Sequence, residues 1–334
     1  MATNKIRVSI GSAAVLGLVN AKIADAVPTT CYLMTYKPGQ CVANCGFCPQ
    51  ARSYEGHSDK LSRVTWPLFT IKKVLTKLKY LPPSKRFKRI CIQTLNYPNN
   101  FEDLIEIIPL IRKKSSTPIS IAIPPMSREN LQELRLIGVQ RVGIALDAAT
   151  EETFGNIKGE RANGPYKWED HLQTLTESTE IFGKNSVSTH IIVGLGDSHR
   201  DILTLISDLR LKGILTALFA FTPIKGTKLE KLSQPSIISF RKVQLANYLI
   251  TQKDKTLNDV TFNTNGKIIN FNINKRELKE IIDNSEAFLT TGCPNCNRPY
   301  YTSRPSGPIY NYPRNLNEEE KFEIFNQLKK FVKL

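Results

Sequence analysis

Eight short β-rich runs, each separated from the next by a stretch of helical period, pass through the chain between Cys31 and Thr290. They are Cys31–Tyr36, Lys88–Leu95, Pro118–Ile123, Arg141–Leu146, Val187–Val193, Leu215–Phe221, Val260–Thr264 and Ala287–Thr290. Helices are predicted between them near Trp66–Tyr80, Phe101–Lys113, Arg128–Ile137, Trp168–Phe182, Arg200–Leu211, Ile237–Leu249 and Lys275–Asp283. Strands joined through helices pair in parallel, so the spacing predicts an α/β fold with its sheet covered by helices. With 334 residues, 41% of them hydrophobic, the chain can bury one large core. A (β/α)8 TIM-like barrel is the economical arrangement, although a doubly wound open sheet gives the same alternation.

The loop after the first strand reads Lys37-Pro-Gly-Gln-Cys-Val-Ala-Asn-Cys-Gly-Phe-Cys-Pro-Gln50, which places Cys41, Cys45 and Cys48 within one turn of chain. Iron–sulfur clusters are usually held by four thiolates, so a triplet leaves one iron open to an exogenous ligand. A zinc site completed by a distant Cys or His is the competing reading, but zinc modules usually pair two hooks of two ligands each. Barrel enzymes gather their chemistry at the carboxyl ends of the strands, which is where this loop lies.

The triplet, with aromatic Phe47 before its last cysteine, resembles the signature of the radical S-adenosylmethionine (SAM) superfamily. Its setting, Tyr32-Leu-Met-Thr-Tyr36 followed by the loop and Pro49-Gln50, is similar to biotin synthase and its relatives. The resemblance implies a closed barrel of the radical SAM type and a 4Fe-4S cluster on Cys41, Cys45 and Cys48. It implies that the open iron chelates SAM, whose reductive cleavage gives a 5′-deoxyadenosyl radical; the cofactor carries the chemistry and no side chain need be catalytic. Among SAM contacts, Ile191-Ile-Val-Gly-Leu-Gly-Asp197 resembles the segment that lies along the adenine, which points to Val193, Gly194 and Gly196. Asp147, closing Ala145-Leu-Asp147, matches the residue that reaches the ribose hydroxyls, without the Asn residues that accompany it in that family. His171 stands where biotin synthases carry a basic residue near the SAM carboxylate, and Phe47 belongs to the cofactor loop. Phe221-Thr-Pro-Ile-Lys-Gly-Thr227 resembles the sixth-strand exit and reads as loop geometry.

Four cysteines remain: Cys31, Cys91, Cys293 and Cys296. A lone cysteine is ordinarily a small buried hydrophobe. In a closed barrel, however, strands eight, one and two are neighbours, and Cys293-Pro-Asn-Cys296 is a two-ligand hook. Side chains alternate along a strand, so Cys31 shares a face with Leu33 and Thr35, and Cys91 with Gln93 and Leu95. If both faces point inward, these four residues form an auxiliary 4Fe-4S site, with Ser303 or Ser306 as oxygen ligands should one thiol be unused. Biotin synthase has its strand-two cluster ligand at Cys91, but its other ligands are missing: strand three has no Cys, and Ser188 and Thr261 stand at the remaining places. Cys31 together with Gly-Cys-Pro-Asn-Cys-Asn-Arg-Pro-Tyr-Tyr301 resembles the archaeal two-protein lipoyl synthases, over about residues 5 to 315. That likeness implies a sulfurtransferase subunit of lipoate biosynthesis that adds one sulfur to an octanoyl chain on a lipoyl carrier protein, with the auxiliary cluster as sulfur source. A second lipoyl synthase subunit and an acidic reductant such as ferredoxin are the further partners expected.

The domain organisation read from the sequence is an N-terminal segment (1–30), the barrel (31–292) and an extension (293–334) holding the cysteine hook and a helix near Asn317–Val332. Phe322, Phe325, Leu328 and Val332 predict that helix's apolar stripe, with Asn317 as N-cap. The net charge of +16 is dispersed and no nucleic-acid motif accompanies it, so an acidic protein partner is the expected beneficiary and nucleic acid is not. Lys5 and Arg7, the apolar Val8–Val19 and Ala24-Asp-Ala26 imitate a signal peptide; Gly11, Ser12 and Gly17 dilute the imitation, which reads instead as a segment plugging the barrel. No run approaches the roughly 20 apolar residues of a membrane span. Oxygen-labile clusters favour a reducing, cytoplasmic setting. An iron–sulfur electron carrier or scaffold is the reading from another class, and it would usually supply four protein ligands per cluster.

Overall fold

The computed structural model describes residues 4–23, 26–56, 59–303 and 307–333. Its strands are β1 (Lys5–Val8), β2 (Thr30–Thr35), β3 (Lys60–Leu61), β4 (Val64–Thr65), β5 (Leu68–Thr70), β6 (Arg89–Gln93), β7 (Ile119–Ala122), β8 (Val139–Gly143), β9 (Val187–Val193), β10 (Ile214–Ala220), β11 (Val260–Phe262), β12 (Ile268–Asn274) and β13 (Val332–Lys333). The helices are α1 (Ile10–Val15), α2 (Ile71–Lys79), α3 (Asn100–Arg112), α4 (Arg128–Leu136), α5 (Glu151–Ile157), α6 (Trp168–Phe182), α7 (His199–Leu211), α8 (Ile237–Gln252), α9 (Lys275–Asn284) and α10 (Glu318–Leu328). Local chemistry sets their starts: Ser127, Thr150, Ser198, Ser236 and Asn317 each accept a bond from a backbone N–H of the first turn, and Ser198 and Asn317 complete capping boxes with Asp201 and Glu320.

The main sheet has eight strands in the order β10-β9-β8-β7-β6-β2-β1-β5. From β2 to β10 neighbours run parallel, and helices cover the outer face with a continuous apolar core. The α/β, TIM-like expectation therefore holds, but the last two staves differ. Val260–Thr264 joins β12 and β13 in a separate sheet, and Ala287–Thr290 is a 3-10 turn at Glu286–Phe288 with one bridge from Leu289 to Tyr312. Both runs are apolar enough for strands, yet the sheet takes its remaining members from the N-terminus. The segment expected to plug the barrel instead lies antiparallel between β2 and β5 through β1. Of the apparent cleavage box, Ala24 and Asp25 lie outside the described residues. Among the described residues no helix is long and apolar enough to cross a membrane.

The chain after β12 folds back along the β10 flank. Thr291 Oγ1 accepts from Leu218 N at 2.9 Å, and Asn311 Nδ2 donates to Leu218 O at 3.2 Å, so side chains replace a backbone ladder there. Buried Arg241 on α8 clamps the same segment, donating to Ile309 O at 2.6 Å, Tyr310 O at 2.5 Å and Gln244 Oε1 at 2.6 Å. Helix α10 packs on α8 and α9 through Ile324 and Leu328, whereas Phe322, expected in its buried stripe, is 69% exposed. Replacing Arg241 strands two buried carbonyls. Arg241→Met is therefore expected to lower the unfolding free energy by about 3 kcal/mol in urea titrations, and to speed proteolysis between residues 290 and 312.

Candidate active site

The cysteine loop is fixed before any cofactor is considered. Its backbone is tied to β6's exit by Val42 N to Asn96 O (2.7 Å), to α5 by Gly46 N to Ile157 O (2.7 Å) and to the β10 exit by Leu229 N to Gly46 O (2.9 Å). A side chain at Gly46 would start 3.2 Å from Leu229 Cγ, so glycine permits this double approach. Buried Asn44 braces the interior of the loop: its Nδ2 donates to Ala162 O at 2.7 Å, and its Oδ1 accepts from Ser53 Oγ at 2.7 Å.

Cys41, Cys45, Cys48 and Phe47 line a cavity of about 240 Å³ at the carboxyl ends of the strands, as the sequence predicts. Burial pushes all three thiols up, Cys45 to about 12. Thiols raised in this way must lose their protons to bind metal. Backbone N–H groups of Asn96 and Gln50 point at Cys41 Sγ (3.2 Å) and Cys48 Sγ (3.4 Å) and favour the thiolate form. Among the described residues, no group of three Cys, His, Asp or Glu side chains stands close enough to hold a single metal ion. A cubane gives each thiolate its own iron, and three separate thiols in one walled cavity fit that group.

The cavity's charge comes from a residue the sequence reading missed. Lys158, at the C-terminal end of α5, puts Nζ 2.8 Å from Asp147 Oδ2 and 2.7 Å from Ala145 O, with both charged side chains buried. Burial works against the ammonium, but the Asp147 carboxylate outweighs it and holds the Lys158 pKa above the ordinary lysine value. Phe154 and Tyr166 enclose it at 5.4 and 5.0 Å. Asp147 reaches its partner from a left-handed backbone, φ 66°, uncommon outside glycine. The signals for α5 were present: Thr150 as a cap, Glu151 and Glu152 in the first turn, and Gly159 just beyond the last turn.

His171 lines the cavity, but it does not bring the positive charge expected of it. Burial, then the neighbouring Lys158, lowers it to about 3, and its Nδ1 lies 2.9 Å from Lys167 O. The residues expected along the adenine divide between two faces. Strand parity turns His190 and Ile192 of β9 into the cavity and Val193 into the core beneath the helices, while Gly194 and Gly196 are not among the cavity walls. Gly194 has φ 106°, and a Cβ there would meet Pro235 at 2.9 Å, so a packed turn accounts for it.

A second cavity opens deeper in the same lumen, lined by Cys91, Cys293 and Cys296, and shares His190, Phe219, Gly143 and Arg298 with the first. Cys293 Sγ lies 3.6 Å from Ser188 Oγ, Cys296 Sγ lies 3.5 Å from the Tyr32 hydroxyl, and Gln93 Nε2 donates to Cys91 Sγ at 3.1 Å. Cys31 does not join them. In the β2–β6 register Cys91 stands beside Tyr32, so Cys31 faces the other way, into the helix-covered core. Ser303 accepts from Tyr310 N at 3.3 Å, away from this cavity, and Ser306 lies outside the described residues.

Burial also lowers His190 and His199, each to about 4. Between pH 6.5 and about 4 the unfolded chain then binds more protons than the folded one, so stability is lost as pH falls. The slope is up to about 1.4 kcal/mol per pH unit for each such histidine. His171→Gln is expected to reduce the proton uptake on unfolding by up to one near pH 5, measured by denaturant titration at a series of pH values.

The family model of the radical SAM superfamily matches residues 36–209, just over half of the chain. Similar proteins include a biotin synthase of Picosynechococcus sp., 26% identical over 60% of this chain and 53% of its own length. Another is a biotin synthase of Methanococcus aeolicus, 24% identical over 68% of each chain. The match thus spans only about half to two thirds of these relatives. In fold the chain resembles HydG, a maturase of the [FeFe]-hydrogenase (TM-score 0.50, 16% identity, 72% of this chain and 57% of that one). It equally resembles methylornithine synthase, PylB (TM-score 0.50, 16% identity, 71% and 68%). Bearing three thiols in the loop after a parallel strand and matched across most of its sheet, this chain belongs to the radical SAM superfamily, with sequence similarity to its biotin synthases.

Proposed function

We propose that the chain is a sulfur-inserting radical SAM enzyme, a lipoyl synthase-type subunit that adds one sulfur to an octanoyl chain carried on a lipoyl carrier protein. The observation that carries the reading is the second set of thiols, Cys91, Cys293 and Cys296, in a cavity that shares walls with the first. When bound, a 4Fe-4S cluster on Cys41, Cys45 and Cys48 supplies the electron that splits SAM into methionine and a hydrogen-abstracting radical. The chain's own residues do the rest. Lys158, fixed by Asp147, offers the cation for the SAM carboxylate in place of His171, whose neutral ring packs edge-on against Phe154 and Tyr166. Small walls at Ala122 and Gly143 leave room for an unbranched aliphatic chain between the two thiol sets, and Phe219 and Ile192 keep that space apolar. A sulfide held on the second set would lie beside the abstracted carbon, which favours capture by proximity. Biotin formation from dethiobiotin is the second reading, favoured by the similarity to biotin synthases; against it, three of that enzyme's four cluster ligands are absent here.

The reading is tested by anaerobic reconstitution and by product. About eight irons per chain are expected, falling to about four in Cys91→Ala, Cys293→Ala or Cys296→Ala. Cys31→Ala is expected to keep them all and to cost about 1 kcal/mol of stability. With SAM and reductant, a mass gain of one sulfur is expected on an octanoyl-lysine peptide or on its mono-thiolated form. Gain of sulfur by dethiobiotin instead would establish the second reading.

A further inference from the structure

Two guanidinium groups border the second thiol cavity, and they differ in one respect. Arg89 has acceptors: Nη1 donates to Ser120 Oγ at 3.1 Å and Nη2 to Gln140 Oε1 at 2.8 Å. Arg298 differs. Among the described residues its Nη1 is buried without a hydrogen-bond partner, and no carboxylate forms an ion pair with it. Its guanidinium carbon stands 5.5 Å from the Trp66 ring, which offers a face but no charge. Arg298 shares the wall of the second cavity with Tyr32, Cys91, Cys293 and Cys296. It also borders the first cavity, so it forms part of the wall between the two thiol sets.

A buried guanidinium nitrogen left unpaired is costly, and proteins keep such a group where a charge arrives to meet it. Protonated thiols are no such charge. A 4Fe-4S core of charge +2 held by three thiolates carries one net negative charge, and reduction adds a second. We propose that Arg298 is the resident counter-charge of the Cys91–Cys293–Cys296 site, a positioning residue that retains the cluster and sets how readily it accepts an electron. This rests on the second-cluster reading given above. The consequence is directional: a fixed positive charge beside the cluster favours the reduced, more anionic state, and its removal disfavours it. Position supports the assignment, since Arg298 follows Cys296 by two residues at the start of the 3-10 turn Arg298–Thr302, whose next residue, Pro299, is buried. The cation is therefore carried on the same short segment as two of the ligands.

The test uses the full chain with Cys41, Cys45 and Cys48 replaced by Ala, so that only the second cluster can bind. Iron and acid-labile sulfide are counted, and the cluster is titrated with mediators while its paramagnetic signal is followed. Arg298→Gln is expected to lower the reduced-to-oxidised ratio at a fixed potential about tenfold, a 59 mV move to more negative potential for one electron, with Arg298→Lys restoring most of it. Loss of the cluster in the Gln variant with retention in the Lys variant would support the same role. Equal potentials and equal iron in all three forms overturn it while leaving the second cluster standing. If Arg298→Lys behaves as Arg298→Gln, charge is not what matters and the proposal fails. Absence of iron from the unsubstituted-Arg298 protein removes the second-cluster reading itself, and this proposal with it.

Discussion

Side chains on a strand alternate between two faces, and in a curved parallel sheet covered on one side by helices that alternation decides which residues meet a ligand. Every later feature of this molecule follows from it. Tyr32 and Met34 on β2, Cys91 and Gln93 on β6, Ser188, His190 and Ile192 on β9, and Ala217 and Phe219 on β10 border the lumen. Their sequence neighbours Cys31, Leu33, Ile90, Ile92, Ile191, Val193 and Leu218 fill the layer beneath the helices. The register is fixed by the continuous ladder from Tyr32 to Cys91 to Ser120. A slip of one residue would exchange a thiol-lined lumen for an aliphatic one and bury polar groups among the helices.

Charge inside that lumen is sparse. Asp147 is matched to Lys158, Arg89 and Arg298 border the deeper cavity, and thiols, aromatic rings and neutral histidines make up much of the remaining surface. Burial holds Cys41, Cys45, Cys48, Cys91 and Cys296 in the thiol form, so metal loading must expel protons and is favoured by rising pH. Neutral histidines serve the same economy, because a protonated ring beside a bound sulfonium would add a second positive charge. The Lys158 ammonium escapes that objection through its strained but well-placed carboxylate partner. Backbone N–H groups at Cys41 and Cys48 provide the remaining polarisation without adding net charge.

The sheet from Cys31 to Phe221 was legible because periodicity, turn residues and caps agreed at each element; α6 is placed at Trp168–Phe182 in both readings. The cofactor loop was legible because spacing within a loop needs no tertiary knowledge. Failures arose where tertiary placement overrode local pattern. Val260–Thr264 and Ala287–Thr290 are strand-like runs, but β1 and β5 already extend the sheet beyond β2, and no run of residues announces which segment takes an edge. Assigning Cys31 a ligand's role required the face of β2 to be known, and an apolar Tyr-Leu-Met-Thr run buried on both sides hides its parity. His171 lines the cavity, but burial keeps its ring neutral, and burial depth is invisible in a sequence. Lys158 and His190 were missed because nothing local marks a lysine after a short helix or a histidine within a strand as lumen-facing.

Cys293 and Cys296 come from a stretch of turns rather than from a strand. Such a stretch has little intrinsic order to spend on holding two thiols opposite Cys91. Order is supplied by side chains reaching outward: Asn297 Nδ2 donates to Val27 O at 2.9 Å, its Oδ1 accepts from the Tyr32 hydroxyl at 3.1 Å, and Thr291 and Asn311 fasten the other end to β10. These ties join the stretch before β2, β2 itself and β10, and β10 is an edge strand that stands five places from β2 in the sheet order. The segment thus spans the gap where a seventh and eighth stave would close a full barrel. A strand in that place would have spent its backbone groups on a ladder and offered only alternate side chains to the lumen. An irregular segment sends Cys293, Cys296 and Arg298 to the same side within six residues. A cluster bound there would fasten β6 to this bridge by direct bonds, so assembling the site and completing the wall become one thermodynamic event.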